Sequence, residues 1–397
     1  MRHLFIVNDF PPIVGGQTAY LYNLCRALLP ADFLVLAPVC GDTSAFDRAQ
    51  AFRIIRKPYL SRIPLFEKVM KIFLPLLWVP GIMRREKIGM LHCAHVLSTG
   101  FVGLILKKVY GIDYVIYTYC ADILEYRDHV FWRFWLRRIL LGARHVVTLS
   151  HFTRDRLVEL GVRPEKIVVS LPRIDTEEFT GSGEAEILRA QGLEGKRIIL
   201  SVGRLVERKG NDMTIRAMTL VREKFPNAVY VIFGPGPYAG RLHVLVHELK
   251  LEDAVVFIGY GEPVKRALLR SCEIFAMVSR AIKERGDVEG FGIVFLEAAA
   301  CGKPSVAGNS GGVPDAVVDN VTGILVPPED PVAVAQAIIR LLSEEGLRHQ
   351  MGEAALARVR SDFDYRRGVP ELRKIFNGEG DGDGDVTLNV SSLSPSP

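Results

Sequence analysis

Short apolar runs alternate with amphipathic stretches along almost all of this 397-residue chain. In the first half the runs predict strands at 3–7, 33–37, 113–117, 145–149 and 167–170. In the second half they predict strands at 197–202, 228–233, 254–258, 272–277, 304–307 and 323–326. Between them, apolar residues at helical spacing mark 17–29, 212–224, 241–250 and 331–343. Alternating strand and helix implies an α/β chain with parallel sheets covered on both faces. Two such series fit two doubly wound, Rossmann-like domains. Pro, Gly and charged residues cluster from Leu171 to Lys196, and a new strand follows. The expected division is therefore 1–175 and 176–360. Residues 361–376 are expected to form a C-terminal helix returning to the first domain. The Gly-, Asp-, Ser- and Pro-rich 377–397 read as a disordered tail. Open parallel sheets bind ligands beyond the carboxyl ends of their strands, so two facing sheets would put a site in the cleft between them.

The length suits two domains of ordinary size, and 49% hydrophobic with 24% charged residues suits large cores. A net charge of +5 is mild, and no zinc-finger or aromatic RNA-binding pattern accompanies it, so nucleic acid is not expected as a partner. Six cysteines lie scattered without a Cys-x-x-Cys pair, which fits a reducing, cytoplasmic setting. The opening Met1-Arg2-His3-Leu4-Phe5-Ile6-Val7 reads as a first strand and not as a signal peptide. The longest apolar stretch, 72–83, contains Pro75 and Pro80 and is too short to span a bilayer. In the tail, Asp381-Gly382-Asp383-Gly384-Asp385 imitates part of a calcium loop. Val386 stands where such a loop needs Gly, and no Glu closes it.

The richest local pattern is Glu289-Gly290-Phe291-Gly292-Ile293-Val294-Phe295-Leu296-Glu297. It reads as a Gly-containing loop that opens a helix, with a carboxylate on each side of the helix start. A helix N-terminus offers free N–H groups and partial positive charge, which suits a phosphate or diphosphate. One Glu could then take hydroxyls of a sugar and the other those of a ribose. An amphipathic helix with two solvated carboxylates is the competing reading. Gly203-Arg204-Leu205-Val206-Glu207-Arg208-Lys209-Gly210 follows the first strand of the second half. Arg204 can make paired hydrogen bonds to a diphosphate and Lys209 can act as a point charge, while a solvated basic turn would use the same letters. Gly15-Gly16 after the first strand would let the backbone approach a ligand, or simply turn. Gly234-Pro235-Gly236-Pro237 and Ser310-Gly311-Gly312-Val313-Pro314-Asp315 leave the same choice open. None has the spaced glycines of a dinucleotide fingerprint.

Taken together, these motifs resemble the signature of retaining family 4 glycosyltransferases with the GT-B fold. The resemblance rests on Gly286-Asp287-Val288-Glu289-Gly290-Phe291-Gly292 ending at Glu297. Asp9-Phe10-Pro11-Pro12 with Gly15-Gly16, Gly203-Arg204 with Lys209-Gly210, and Gly311-Gly312-Val313-Pro314-Asp315 with Gly323 recur in the same order. It spans residues 1 to about 360 and is similar to bacterial mannosyltransferases of the phosphatidylinositol-mannoside type and to polysaccharide-building relatives. It implies that Arg204 and Lys209 contact the diphosphate of a GDP- or UDP-linked donor, Glu297 the ribose and Glu289 the donor-sugar hydroxyls. Backbone groups from Gly290 and Phe291 through Gly292, Ile293 and Val294 would surround sugar and phosphates. Gly16 would lie near the leaving group and acceptor, and the base would sit near Gly259 and Tyr260.

On the acceptor side the resemblance points to Gly15, Gly16 and the run Tyr117-Thr118-Tyr119-Cys120-Ala121-Asp122. The family commonly has His where this chain has Cys120, and a thiol cannot reproduce imidazole chemistry at neutral pH without a shifted pKa. Tyr119 or Asp122 could substitute, and a buried, structural Cys120 is the favoured reading. Fixed cations and a helix dipole leave no need for a metal, and no cofactor is expected. No carboxylate stands out as a nucleophile, so front-face attack is expected, with donor phosphate helping to take the acceptor proton. Two segments mix cations with rings. They run from Arg62 to Lys87 and through Phe131-Trp132-Arg133-Phe134-Trp135-Leu136-Arg137-Arg138. They suit a membrane surface carrying a lipid or saccharide acceptor, or core-facing helices with basic outer faces. A silent nucleotide-sugar-binding protein, an epimerase and a phosphorylase on the same fold are the competing functions.

Overall fold

The computed structural model describes residues 1–13, 15–59, 64–181 and 184–377. The tail and its calcium-loop-like run lie outside them. Among the described residues, strands β1 (Arg2–Ile6), β2 (Phe33–Pro38), β3 (Arg53–Lys57), β4 (Ile88–Cys93), β5 (Asp113–Thr118), β6 (His145–Thr148) and β7 (Ile167–Val169) form one sheet. Its order is β3-β2-β1-β4-β5-β6-β7, and every neighbouring pair is parallel. Strands β8 (Arg197–Val202), β9 (Ala228–Phe233), β10 (Val255–Ile258), β11 (Ile274–Met277), β12 (Ser305–Gly308) and β13 (Gly323–Val326) form a second. Its order is β10-β9-β8-β11-β12-β13, again parallel.

Two strands of the first sheet escape the hydrophobic pattern. In β3 the letters Arg53-Ile54-Ile55-Arg56-Lys57 are mostly charged, as suits an edge strand that must not recruit another chain. β4 carries Gly89 and follows Glu86 with scarcely a turn. The stretch before it, read only as an apolar run with two prolines, is the helix Pro64–Glu86 with Pro75 and Pro80 inside. Among the described residues no helix is long and apolar enough to cross a membrane.

Away from the edge strand β3, the strands are mostly apolar because both faces of each sheet are covered. In β1, Leu4 and Ile6 enter one core while Phe5, with Val7 just past the strand, enters another. In β9, Tyr230 and Ile232 likewise part from Val229, Val231 and Phe233. One apolar cluster runs through both halves, joining Phe5 and Tyr117 to Leu200 and Phe275 by way of Ile174, Phe179, Phe291 and Phe363. The last turn of helix Glu345–Asp362 meets the linker there. The Ile174 N–H donates to the Phe363 carbonyl (2.8 Å) and the Tyr365 N–H to the Ile174 carbonyl (3.0 Å). The chain then lies on the first half. Glu371 accepts from the Ser170 hydroxyl at 2.8 Å, and Phe376 stacks on His92 at 5.1 Å.

Candidate active site

At the carboxyl ends of the strands the two halves touch: the loops after β5 and β6 meet the loop after β11, at Gly286 and Gly290, and the turn at Gly312. The loop after β8 ends in a short turn, Glu207–Lys209, that folds the Lys209 side chain back toward Gly203. There Lys209 Nζ lies 2.7 Å from Glu289 Oε2, and both side chains are only 10% exposed. Arg208 Nε stands 3.7 Å from the same oxygen and its Nη1 3.2 Å from Asp287. Burial pushes the Glu289 carboxyl up, but Lys209 and Arg208 pull harder, so it lies below the usual range. A carboxylate and an ammonium thus face each other in a buried recess at the strand ends.

Helix Ile293–Ala300 starts directly after this recess, with Gly292 at φ 89° as its cap and no side chain capping it. Glu297, on its second turn, has its Oε2 3.3 Å from Lys265 Nζ, which also meets Glu262 at 3.1 Å. Burial pushes Glu297 up more than Lys265 pulls it down, so it lies above the usual range. The two glutamates therefore occupy different electrostatic settings on either side of the helix start. Arg204 is exposed and has no hydrogen bond or ion pair to the described residues. Tyr260, at the far end of the row, is 80% exposed.

Gly290 sits where the halves touch. A Cβ there would lie 2.7 Å from the Tyr119 carbonyl oxygen and 3.3 Å from Cys120 Cβ, so only glycine lets the loop close on β5. Gly312 supports it from behind, since a Cβ would fall 1.9 Å from the Gly290 carbonyl oxygen. Next to it, Asp315 accepts from the His151 backbone N–H (2.7 Å) and pairs with its Nδ1 (2.9 Å). That hydrogen bond raises the His151 pKa.

The acceptor-side candidates fall into two groups. Gly15 and Gly16 are exposed, and nothing lies within 4 Å of a Cβ built at Gly16, which opens helix Gly16–Ala27. Tyr119, Cys120 and Asp122 are buried. Cys120, 0% exposed, has φ 78° and ψ −63°, and the Ala121 N–H reaches back to the Tyr119 carbonyl at 3.1 Å. That is the positive-φ γ-turn, a strained form. Burial pushes the Cys120 thiol up to about 12 and the Asp122 carboxyl up to about 7. Asp122 Oδ1 accepts the Tyr119 N–H at 2.8 Å and so braces the turn.

The sequence pattern missed Arg208, which stood unremarked in the same basic run as Lys209. It also missed the Asp315–His151 clasp, whose partners are 164 positions apart. For Arg208 the signal was present, because the turn Glu207–Lys209 sends consecutive cations to one carboxylate. For the clasp no local signal existed.

Sequence comparison carries the reading further. The family model for Glycosyl transferases group 1 matches residues 184–358, and that for Glycosyltransferase Family 4 matches residues 14–178. The chain is 30% identical over 398 residues to the GDP-mannose-dependent alpha-(1-6)-phosphatidylinositol monomannoside mannosyltransferase of Mycobacterium tuberculosis, covering 95% of this chain and 98% of that protein. It is 28% identical over 389 residues to the GDP-mannose-dependent monoacylated alpha-(1-6)-phosphatidylinositol monomannoside mannosyltransferase of Corynebacterium glutamicum, covering 95% and 98%. In fold it is similar to Anabaena HepE in complex with UDP-glucose, with a TM-score of 0.77 at 19% identity over 96% of this chain and 100% of that one. Sucrose-phosphate synthase from Thermosynechococcus elongatus gives 0.77 at 22% identity over 95% and 98%. The chain belongs to the family 4 glycosyltransferases, and it is a transferase with their GT-B fold.

Proposed function

We propose that this protein transfers mannose from GDP-mannose to a lipid-linked saccharide, with retention of configuration and without a divalent metal. The observation that carries the site reading is the buried Lys209–Glu289 pair beside the uncapped start of helix Ile293–Ala300. The names of the relatives support the choice of GDP and mannose. In this reading Lys209 and the N–H groups around Phe291, Gly292, Ile293 and Val294 face the diphosphate, and Arg204 swings in to join them. Glu289, beside Gly290, accepts hydroxyls of the sugar, Glu297 those of the ribose, and the base lies toward Tyr260. The open space over Gly15 and Gly16 is left for the leaving phosphate and the acceptor.

The proton chemistry follows from what is buried. Glu289 is engaged by Lys209 and is not a free nucleophile. A thiol pushed up to about 12 is no base at neutral pH, and Asp122 spends one oxygen on the Tyr119 N–H. The acceptor hydroxyl therefore attacks from the face the diphosphate leaves. Its oxygen bonds to the anomeric carbon as the bond from that carbon to phosphate breaks, and its proton passes to the departing phosphate oxygen. Arg204, Lys209 and the helix N-terminus stabilise the charge that builds there.

The proposed setting is the cytoplasmic face of a membrane. Its supports are six free cysteines and two helices that expose rings beside cations. Phe73 and Leu77 protrude from Pro64–Glu86, and Val130, Phe131 and Phe134 from Val130–Gly142. A silent binding protein, an epimerase or a phosphorylase is not favoured, because the relatives matched over nearly the whole chain are named as transferases. The test is a thermal-shift panel of GDP-, UDP- and ADP-sugars followed by transfer assays with chelator, the product anomer read by NMR. Stabilisation by another nucleotide alone, loss of turnover in chelator, or an inverted product would each overturn the corresponding part.

A further inference from the structure

A cavity of about 200 Å³ opens on the first half, between the short helix Ala121–Leu124, the loop before helix Val130–Gly142, and helix His151–Glu159. Three arginines line it, Arg127, Arg133 and Arg156, with Asp128, Glu159 and the apolar Leu124. Its formal charge is +1. Arg127 is paired with Asp128 at 3.3 Å and Arg156 with Glu159 at 2.7 Å. Arg133 is exposed and has no side-chain partner among the described residues. Its guanidinium is therefore free to meet an anion in the recess, beside two arginines already held by carboxylates. At roughly 300–1,000 Å³ for drug-sized ligands, typical pockets are larger, so this one suits a headgroup fragment and not a nucleotide sugar.

The surroundings specify the ligand further. One turn before Arg133 on the same helix, Val130 is 87% exposed, and Phe131 next to it is 63% exposed. An oxyanion held by the arginines would therefore have apolar side chains beside it for a hydrocarbon chain. On the inner side, Leu124 packs with Cys120 and Val288, and Gly286 closes against the Leu124 carbonyl. The wall of the cavity is thus also the contact between the acceptor-side turn and the loop that carries Glu289.

We propose that the Arg127–Arg133–Arg156 cavity holds the phosphate of an amphiphilic acceptor, so that the headgroup is gripped one short helix away from the transfer site. The inference rests on the lipid-linked acceptor of the preceding section. Guanidinium forks match phosphate oxygens in pairs, and a phosphodiester on a glyceride supplies both the anion and the chains.

The test uses monomeric dihexanoyl phosphatidic acid, dihexanoylglycerol and inorganic phosphate as probes of the full chain. Binding is followed by intrinsic tryptophan fluorescence, to which Trp132 and Trp135 contribute from the helix that carries Arg133. The expected result is binding of the phosphatidic acid, weaker binding of the neutral glyceride, and about a tenfold loss for either Arg133→Gln or Arg156→Gln. Arg163→Gln, an exposed change of the same charge beyond the cavity, should bind normally. Equal losses in Arg163→Gln, no loss in the cavity variants, or inorganic phosphate binding as tightly as the lipid would overturn the proposal. Stabilisation by GDP-mannose is measured on the same variants. If it persists while lipid binding ignores the arginines, the cavity reading alone fails. If GDP-mannose does not stabilise the parent protein, the donor reading fails instead.

Discussion

Replacing Lys209 with Met would leave Glu289 charged in a recess where its side chain is 10% exposed. At an effective dielectric of about 20, a contact at 2.7 Å corresponds to roughly 6 kcal/mol of gross attraction and one at 3.7 Å to roughly 4.5. Lys209 thus supplies the larger share of the compensating field, and Arg208 retains the rest. Breaking a buried pair typically costs about 3–5 kcal/mol, and the remaining Arg208 puts the expectation at the lower end, about 3 kcal/mol. Adding Glu289→Gln should recover most of that loss, since a neutral amide no longer needs the cation. The assay is urea unfolding followed by circular dichroism, because all three tryptophans, Trp78, Trp132 and Trp135, lie in the half without this pair. The Glu289 pKa is depressed on folding, so its contribution is present above its unfolded value of about 4.3. It is lost as pH falls through the lower folded value. The gap between parent and Lys209→Met should therefore close in acid. A loss under about 1 kcal/mol at pH 7, or losses that simply add in the double variant, would refute the reasoning.

Arg204→Ala should cost on the order of 3 kcal/mol in kcat/KM for sugar transfer while leaving the melting temperature unchanged, because the side chain has no partner to lose. Gly290→Ala should weaken the closed contact between the halves by about 1–3 kcal/mol, read as a larger radius in small-angle scattering with lowered turnover. His151 gains affinity for its proton on folding. Its bond to Asp315 therefore stabilises fully below about pH 6.5 and fades as pH rises through the higher folded value. Melting temperatures across pH 6 to 9 should show that fall in the parent and not in Asp315→Asn.

The parallel α/β pattern was open to inspection because both faces of each sheet are buried, which makes β9 a continuous apolar word and β1 and β8 largely apolar after their first polar residues. β3 was hidden by the charges that protect an edge, and β4 by Gly89 and the absence of a turn before it. In the site, Glu289 and Lys209 could be picked out because each stands beside a glycine, and Glu297 because it falls on the second turn of the helix that Gly292 opens. Their pairing could not, since it depends on how far the turn Glu207–Lys209 folds back. Cys120 shows the same limit. Its letter suggested a small buried side chain, but nothing in the letter foretold a positive φ or the packing of its turn on Gly290.

The paired backbone bonds between Ile174 and the Phe363–Tyr365 segment have a mechanical meaning. The chain passes between its halves twice, and these bonds bind the two crossings side by side. One crossing would be a swivel, free to turn about its own axis. Two crossings laced together make a door hinge. When such a hinge opens, the edge carrying Gly290 moves away from Tyr119 along one arc, and it returns along the same arc. On the proposed reading of the site, a donor loaded while the door stands ajar would be carried back to the same place against Tyr119 at every closure.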